Sequence, residues 1–325
     1  MASSIAGHCF LLALFLFFSA THGQLKEDFY AKTCPSLDLK GIVRNELSRV
    51  LPTDRRMGAS LLRLFFHDCF VQGCDASVLL DNDKQRGIVS EKDAGPNKNS
   101  LRGFKVIDDI KTAVEASCSR VVSCADILAV TAREAVVALG GPSWTVLLGR
   151  RDSMNGSPDK ANSDLPSPDS DLSTLITAFG NKGLSPRDLT ALSGAHTIGF
   201  SQCQNFRGRI YNDANINSTF ATLRKANCPA MPGIGDSNLA PLDEQTQLVF
   251  DNKYYGNLVV RRGLLHSDQE LFNGGSQDQL VRDYSSDPTL FRTDFANAMK
   301  KMSEISPLTG VQGQIRVKCS SVNIK

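Results

Sequence analysis

The sequence predicts a mainly α-helical protein. Apolar residues recur at intervals of three and four in the stripes Val106–Val114 and Leu290–Met302. This period places them on one face of a helix, whereas a half-buried strand requires strict alternation. Alternation is scarce and short, and it favours a strand only near Val146–Leu148. We therefore expect a helical fold with minor, short β strands.

Further helices are expected along most of the chain. They cover about 36–51, 55–69, 123–138, 171–181, 186–194, 201–210 and 248–262. Ser185 followed by Pro186 fits an N-cap with proline at the first helical position. The stretches at about 81–100, 140–170 and 227–245 are rich in Gly, Pro, Asn and Asp and predict loops. Neither a repeat nor a long flexible linker divides the chain, so its length suits one large core or two subdomains.

The first 23 residues fit a secretory signal peptide. The apolar run Cys9–Phe18 carries no charged side chain and is too short to span a bilayer. Small or modestly sized residues follow as far as Gly23, where we expect cleavage. The leading segment lacks the usual Lys or Arg, which leaves an uncleaved anchor as the alternative. Cleavage after Gly23 would leave residues 24–325 as the mature domain. No stretch of this domain is apolar enough to span a membrane.

The charges are balanced, with 36 Lys and Arg against 34 Asp and Glu and a formal net charge of +2. Basic residues form no long cluster, so the composition gives no electrostatic case for nucleic-acid binding.

Loss of Cys9 with the signal would leave an even number of cysteines, which predicts disulfides in a secreted chain. The sequence alone does not choose their pairing, although Cys69 and Cys74 bracket a short loop that contains glycine. Two sequons, at Asn155 and Asn217, are candidate glycosylation sites.

Arg63 and His67 are spaced i, i+4 and therefore share one face of a predicted helix. An imidazole can carry a proton from one oxygen to another, and a guanidinium can stabilise negative charge as an O–O bond breaks. Phe66, beside them, would shield the site from other chemistry. The alternative is an ordinary Arg/His pair on a helix surface.

An oxygen-rich run directly follows His67 and suits a hard cation such as Ca²⁺. It comprises Asp68, Val71, Gly73, Asp75 and Ser77, with Val71 and Gly73 offering carbonyls. The alternative is a polar turn tied by a Cys69–Cys74 bridge. A second set combines Thr197 with Asp243, Thr246, Val249 and Asp251. From spacing alone, we interpret the residues of this second set as helix caps and solvated loop residues.

The remaining candidates are single residues. His196 lies in a predicted helix, and as a metal ligand it would need a carboxylate or carbonyl to hold its second nitrogen. Spacing does not identify that partner, and a structural histidine is the alternative. We expect His266 to be an exposed loop residue and Trp144, the only tryptophan, to be a core residue.

Two segments closely resemble the signatures of secretory plant haem peroxidases, the class III family. They are residues 63–70 (RLFFHDCF) and residues 192–199 (LSGAHTIG). Further blocks resemble the family at 73–77, 122–126, 148–152, 250–255, 267–271 and 309–316. The resemblance covers essentially residues 24–325, and motifs of this length in the same order are highly specific.

The resemblance implies a haem b held between two helical subdomains, with His196 as proximal iron ligand and Asp268 as its hydrogen-bond partner. His67 would be the distal acid–base group, Arg63 the electrostatic stabiliser, and Asn97 the acceptor of a hydrogen bond from the distal histidine. The implied activity is reduction of H₂O₂ through a ferryl intermediate, followed by one-electron oxidation of small phenolic reductants.

The same resemblance implies two Ca²⁺ ions and four disulfides. The distal ion would be held by Asp68, Val71, Gly73, Asp75 and Ser77, and the proximal ion by Thr197, Asp243, Thr246, Val249 and Asp251. The disulfides would be Cys34–Cys118, Cys69–Cys74, Cys124–Cys319 and Cys203–Cys228. Pro166 matches the position whose carbonyl helps to hold an aromatic donor.

The sequence also departs from the better-known pattern at the edge where donors approach. Gly95, Asp169 and Asn205 stand where some relatives carry phenylalanines, which leaves less aromatic surface for stacking a phenol. The chain has no long apolar extension after Cys319 of the kind associated with vacuolar members. We therefore expect a secreted, extracellular monomer of the cell wall that oxidises wall phenolics or acts in oxidative stress and binds neither nucleic acid nor membranes.

Two alternatives belong to other functional classes. A wall protein that binds haem or Ca²⁺ without turnover would need a defect at Arg63, His67, Asn97, His196 or Asp268, and the sequence has none. A zinc hydrolase that uses His67, Asp68 and Cys69 conflicts with the few histidines and with cysteines committed to disulfides.

Overall fold

The computed structural model describes residues 25–324, so the expected signal peptide at residues 1–23 lies outside the described residues. The described chain is mainly helical, as predicted. Its α-helices are α1 (Leu39–Val50), α2 (Met57–Val71), α3 (Phe104–Ser117), α4 (Cys124–Ala138), α5 (Pro158–Asp164), α6 (Leu172–Gly180), α7 (Pro186–Ser193), α8 (Arg207–Asn212), α9 (Ser218–Lys225), α10 (Lys253–Val259), α11 (His266–Glu270), α12 (Asp278–Ser286) and α13 (Pro288–Ser303). Short 3₁₀ helices lie at Ser77–Leu79, Glu91–Asp93, Gly194–Thr197 and Cys203–Asn205.

The helices pack in two groups, α1–α5 and α6–α13. In the first group α2 packs against α4, which is buried along nearly its whole length because apolar and small residues occupy all its faces. In the second group α13 packs against α7 and α12. One hydrophobic core runs through both groups, and a smaller cluster lies around Cys203, Phe206 and Phe220.

Local signals fixed several helix ends. α1 begins at Leu39 because the Asp38 carboxylate accepts a hydrogen bond from the Gly41 N–H at 2.9 Å. The predicted cap at Ser185 is confirmed as a capping box with Asp188, and Pro186 is the first residue of α7.

Several expectations were wrong. The stretch at 140–170, expected to be a loop, contains α5, and the stretch at 227–245 contains a short strand. The predicted helix at 201–210 is instead strand β1 (Phe200–Gln202), which pairs antiparallel with β2 (Leu239–Pro241), followed by a 3₁₀ turn and α8. The left-handed φ of 102° at Gly199 and long-range pairing override the helical period there. The helix expected at 248–262 is shorter, because α10 covers only Lys253–Val259. The strand expected at 146–148 is only an isolated bridge between Leu148 and Lys26.

The cysteines pair as the resemblance implied. The structure joins Cys34 to Cys118, Cys69 to Cys74, Cys124 to Cys319 and Cys203 to Cys228. Trp144 is buried against Phe295, as expected. Among residues 25–324, no helix is both long and apolar enough to cross a membrane.

A buried ion pair joins the two helical groups. Asp126 on α4 and Arg150 are both 0% exposed and approach to 2.8 Å. Asp126 also accepts hydrogen bonds from the Tyr30 hydroxyl and the Gly149 N–H, each at 2.6 Å. Arg150 donates to the Ser303 carbonyl at the end of α13, at 2.6 Å. The pair is therefore fully satisfied by hydrogen bonds.

We predict that Asp126→Ala destabilises the protein by about 3–5 kcal/mol, because it leaves the buried Arg150 cation without its counter-charge. Asp109→Ala is the matched control: it breaks a pair with Lys105, whose side chain is 85% exposed, and should cost at most about 1 kcal/mol. Urea unfolding of both variants tests this. Equal midpoints for the two variants would contradict the structural role of the Asp126–Arg150 pair.

Candidate active site

α2 carries the first half of the site. Its helical period brings Arg63, Phe66 and His67 to the same cavity. His67 is buried, and its Nδ1 lies 2.6 Å from Asn97 Oδ1. The Asn97 amide nitrogen donates to the Glu91 carbonyl at 2.8 Å, which leaves Oδ1 as the acceptor. This network assigns the proton to His67 Nδ1 and leaves Nε2 with a free lone pair.

The electrostatic environment keeps His67 a neutral base. Burial, reinforced by the neighbouring Arg63 cation, holds the pKa of His67 well below its usual value, against a smaller opposing effect of the Asn97 hydrogen bond. Burial also lowers the pKa of Arg63 to about 10, so its guanidinium stays charged at neutral pH. Arg63 Nη2 donates to the Pro96 carbonyl at 2.9 Å and to Ser100 Oγ at 3.2 Å. Arg63 is therefore held by neutral acceptors, so its positive charge is not neutralised by these partners and acts on the cavity.

The second half of the site is built on the 3₁₀ turn after α7. His196 Nδ1 lies 2.7 Å from Oδ1 of the buried Asp268, which is carried by α11. The same oxygen accepts the Tyr254 hydroxyl at 2.9 Å, and Asp268 Oδ2 accepts the Leu265 N–H at 3.0 Å. The carboxylate is thus immobilised by three donors. With Nδ1 engaged, Nε2 is the ring nitrogen of His196 that remains for a ligand in the cavity.

A single cavity of about 310 Å³ is lined by both His67 and His196. Its walls are largely apolar, and cationic and hydroxyl side chains lie among them. The apolar lining includes Phe66, Leu165, Phe179, Leu192, Met299 and Met302, and the polar lining includes Arg56, Arg63, Lys98, Ser100, Arg102 and Gln202. This combination suits a flat apolar group that carries a metal and peripheral carboxylates. An imidazole nitrogen would bind the metal, the apolar side chains would pack on the faces of the group, and the cationic side chains would pair with its carboxylates.

The donor-edge residues are only partly placed where the sequence suggested. Pro166, Gly95 and Asn205 line the cavity. Asp169 is not among the cavity-lining residues of the described chain. Gly95 and Asn205 leave that part of the lining without aromatic rings.

The expected distal cation set is brought together directly after α2. Asp68, Asp75 and Ser77 are all buried. Burial and the charge of Asp75 raise the pKa of Asp68 well above its usual value, and burial raises the pKa of Asp75 to about 6. Within residues 25–324, Ser77 Oγ has no hydrogen-bond partner. Two adjacent buried carboxylates and an orphaned hydroxyl fit a bound cation, which would relieve both.

The expected proximal set also converges, although its members are far apart in sequence. Thr197 Oγ1 lies 3.2 Å from Asp251 Oδ1 and 3.4 Å from Asp243 Oδ2. Thr246 Oγ1 lies 3.2 Å from the same Asp243 oxygen, and the Val249 N–H bonds the Thr246 carbonyl in the adjoining turn. No group of three or more His, Cys, Asp or Glu side chains poised for a metal occurs in the described part of the chain. Each set offers two carboxylates, so a cation there would also need hydroxyl and carbonyl oxygens.

Two residues have roles that the sequence analysis missed or misjudged. Glu91 is buried, its carbonyl orients Asn97, and its carboxylate accepts the Ser157 N–H at 2.9 Å. It therefore supports the hydrogen bond to His67, which no spacing rule indicates. The expectation that His266 is an exposed loop residue was wrong. It is the first residue of α11, and its Nδ1 lies 2.7 Å from Asp213 Oδ2 because α8 ends beside α11.

Comparison with known proteins identifies the class. Residues 43–287 match the model of the family described as Peroxidase, so this chain belongs to the peroxidase family. It is a plant peroxidase, an oxidoreductase that acts on hydrogen peroxide together with reducing substrates.

The similarity to individual plant peroxidases spans essentially the whole chain. The chain is 57% identical to Peroxidase 2 of Oryza sativa subsp. japonica over 323 residues, which cover 99% of this chain and 100% of that protein. It is 60% identical to Peroxidase 70 of Zea mays over 300 residues, or 92% of each chain. It is also 56% identical to Peroxidase P7 of Brassica rapa subsp. rapa over 300 residues, which cover 92% of this chain and 100% of that protein.

Proposed function

We propose that the protein binds one haem b between His67 and His196 and two Ca²⁺ ions, and that it oxidises small phenolic donors at the expense of H₂O₂. The single observation that carries the proposal is the pair of oriented histidines on one cavity. Asn97 leaves His67 Nε2 free as a base, and Asp268 leaves His196 Nε2 free as a ligand. Haem b, when bound, supplies the iron on which peroxide is reduced and the oxidising equivalents for the donor.

The residues divide the work on peroxide. His67 Nε2 takes a proton from one peroxide oxygen and returns it to the other oxygen as that oxygen leaves as water. Arg63 stabilises the negative charge that develops during O–O cleavage. Phe66 covers the same side of the cavity and excludes larger reactants. Asn97 holds the imidazole in the required tautomer, and Glu91 holds Asn97.

His196 and Asp268 would hold the iron and set its electronic character. A carboxylate that accepts the Nδ1 proton gives the imidazole partial imidazolate character and favours the higher oxidation states of iron. The Asp68 and Asp243 sets would hold the two Ca²⁺ ions, one at the end of α2 beside His67 and one beside His196. We propose that Pro166, at the cavity lining, positions the phenol.

We further propose that the mature protein is residues 24–325, secreted as a monomer to the cell wall. Four disulfides support an oxidising compartment. Asn155 and Asn217 would carry glycans there. N-terminal sequencing and intact mass of protein secreted by plant cells test this assignment, and an N-terminus at Met1 would overturn it.

Purified protein should show a Soret band and should oxidise guaiacol only when H₂O₂ is present. Iron and calcium analysis should give about one iron and two calcium per chain. Zinc in place of iron, or a Soret band without turnover, would overturn the proposal in favour of a hydrolase or of a haem-binding protein.

Replacement of Asp268 by asparagine should lower peroxidase activity by about 10–100-fold and shift the Fe³⁺/Fe²⁺ potential upward, because the imidazole loses its anionic partner. The matched control is Asp213→Asn, which alters the other His–Asp pair, with His266. That control should leave the potential unchanged. Identical potentials for Asp268→Asn and wild type would contradict the assignment of Asp268.

A further inference from the structure

Three of the five tyrosines form a continuous row of edge-on and tilted rings, called the stack below, that leads away from His196. The Tyr254 ring lies edge-on to the His196 ring at 6.1 Å between centroids. The Tyr254 and Tyr255 centroids are 5.1 Å apart, and the Tyr255 and Tyr284 centroids are 5.0 Å apart. All three tyrosines are buried. The stack therefore joins the proximal histidine to α12 without a gap between aromatic side chains.

The hydroxyl groups at the two ends of the stack each donate to a carboxylate. The Tyr254 hydroxyl lies 2.9 Å from Asp268 Oδ1, and the Tyr284 hydroxyl lies 2.7 Å from Asp294 Oδ2. Tyr255, in the middle, donates to the Thr190 carbonyl at 2.9 Å. A carboxylate can accept a phenolic proton, whereas a backbone carbonyl cannot hold one. Tyr254 and Tyr284 can thus lose an electron and a proton together, and Tyr255 serves as the bridge.

Burial favours this coupled chemistry. It raises the pKa of Tyr255 and Tyr284 above the usual value, so both are protonated phenols at neutral pH. Loss of an electron alone would leave a buried cation, which is costly in an apolar environment. Transfer of the proton to Asp294 removes that cost at Tyr284.

Tyr284 itself is fully buried, and Asp294, which accepts its hydroxyl, links the stack to the surface. Asp294 lines an open pocket of about 460 Å³ between α7 and α13, together with Arg187, Asp188, Asn297, Lys300 and Lys301. Arg187 pairs with Asp294 at 2.6 Å, and Lys301 pairs with Asp188 at 2.8 Å. The pocket is therefore hydrophilic and open to solvent. Its lining shares no residue with that of the cavity that contains His67 and His196.

We propose that this pocket is a second oxidation site, at which phenols too bulky for the cavity reduce a Tyr284 radical. The proposal rests on the proposed function, since peroxide reduction at the cavity supplies the oxidant. Tyr284 gives one electron through Tyr255 and Tyr254 to the oxidised cofactor, and its proton passes to Asp294. A phenol in the pocket then returns one electron to Tyr284, Asp294 returns the proton, and the phenol releases its own proton to solvent. Two such cycles convert one H₂O₂ and two phenols into two waters and two phenoxyl radicals.

The first test is the radical itself. Haem-loaded protein, mixed with H₂O₂ without donor and freeze-quenched, should show a tyrosyl signal by electron paramagnetic resonance. Tyr284→Phe should lose most of that signal. Tyr211→Phe is the matched control, because Tyr211 lies outside the stack and donates to the Cys228 carbonyl. An unchanged signal in Tyr284→Phe, or no tyrosyl signal in the wild type, overturns the proposal.

The second test compares a small phenol with the same phenol tethered to a large dextran. In Tyr284→Phe, kcat/KM for the tethered phenol should fall about tenfold or more, while kcat/KM for the free phenol stays within about twofold of wild type. An equal loss for both donors would indicate a merely structural effect and would overturn the proposal. If Tyr284→Phe turns over the free phenol and its kcat/KM for the tethered phenol is unchanged, the second site is refuted, whereas the proposed function is not. Absence of free-phenol turnover in the wild type would instead refute the proposed function.

Discussion

Replacement of His67 by leucine is expected to slow the reaction with H₂O₂ by about 10²–10⁴-fold, the usual contribution of a positioned acid–base group. The variant keeps a side chain of similar bulk but has no nitrogen at the position of Nε2. His196 and Asp268 are untouched, so the haem should remain bound with a Soret band. Stopped-flow absorbance after mixing with H₂O₂ measures the change directly.

A variant of Asn97 separates the role of His67 as a base from the role of the residue that orients it. Asn97→Val removes the acceptor that holds the Nδ1 proton of His67 at 2.6 Å, and with it the preference for one tautomer. It should slow the same step by less than His67→Leu does. If the rate constant with H₂O₂ in His67→Leu stays within about twofold of wild type, His67 is not the acid–base group.

Removal of calcium is expected to have the second largest effect. A ligand present at about 1,000 times its dissociation constant stabilises the native state by about 4 kcal/mol. For a chain of this size such a loss lowers Tm by roughly 6 °C. The reaction with H₂O₂ should also slow, because Asp68 directly follows His67 and the distal ion holds the end of α2. Thermal unfolding and stopped-flow kinetics before and after chelation measure both effects.

Single variants show which of the two cation sets accounts for the loss of stability and which for the slower reaction with H₂O₂. Asp68→Asn should reproduce the slower peroxide reaction, and Asp243→Asn should lower Tm with a smaller effect on that step. Both should bind one calcium fewer than the wild type. Asp109→Asn, at an exposed carboxylate, is the control and should change nothing. Unchanged calcium content in Asp68→Asn would contradict the distal site.

The part of the site that lies within one helix could be predicted from the sequence alone. Arg63 and His67 share a face because helical geometry fixes their spacing, and the oxygen-rich run after His67 is contiguous. Asp268 is 72 residues from His196, so only the family resemblance could join them. The same holds for Thr197 and Asp243, which converge through tertiary packing.

The errors have physical causes of the same kind. The 201–210 segment has a helical period, but its pairing with 239–241 and the Cys203–Cys228 disulfide favour an extended start. His266 was assigned to a loop because its partner Asp213 is 53 residues away. The tyrosine stack was invisible because Tyr284 reaches Tyr255 only when α12 packs against α10.

The proposed function depends on one haem that His196 holds in the cavity that also contains His67. Haem-reconstituted His196→Gly, examined by absorption spectroscopy with and without added imidazole, tests it most directly, with His266→Gly as the matched control. His196→Gly should lose the wild-type spectrum and peroxidase activity, imidazole should restore both in part, and His266→Gly should keep both. A wild-type spectrum and full activity in His196→Gly without imidazole would contradict the proposed role of His196.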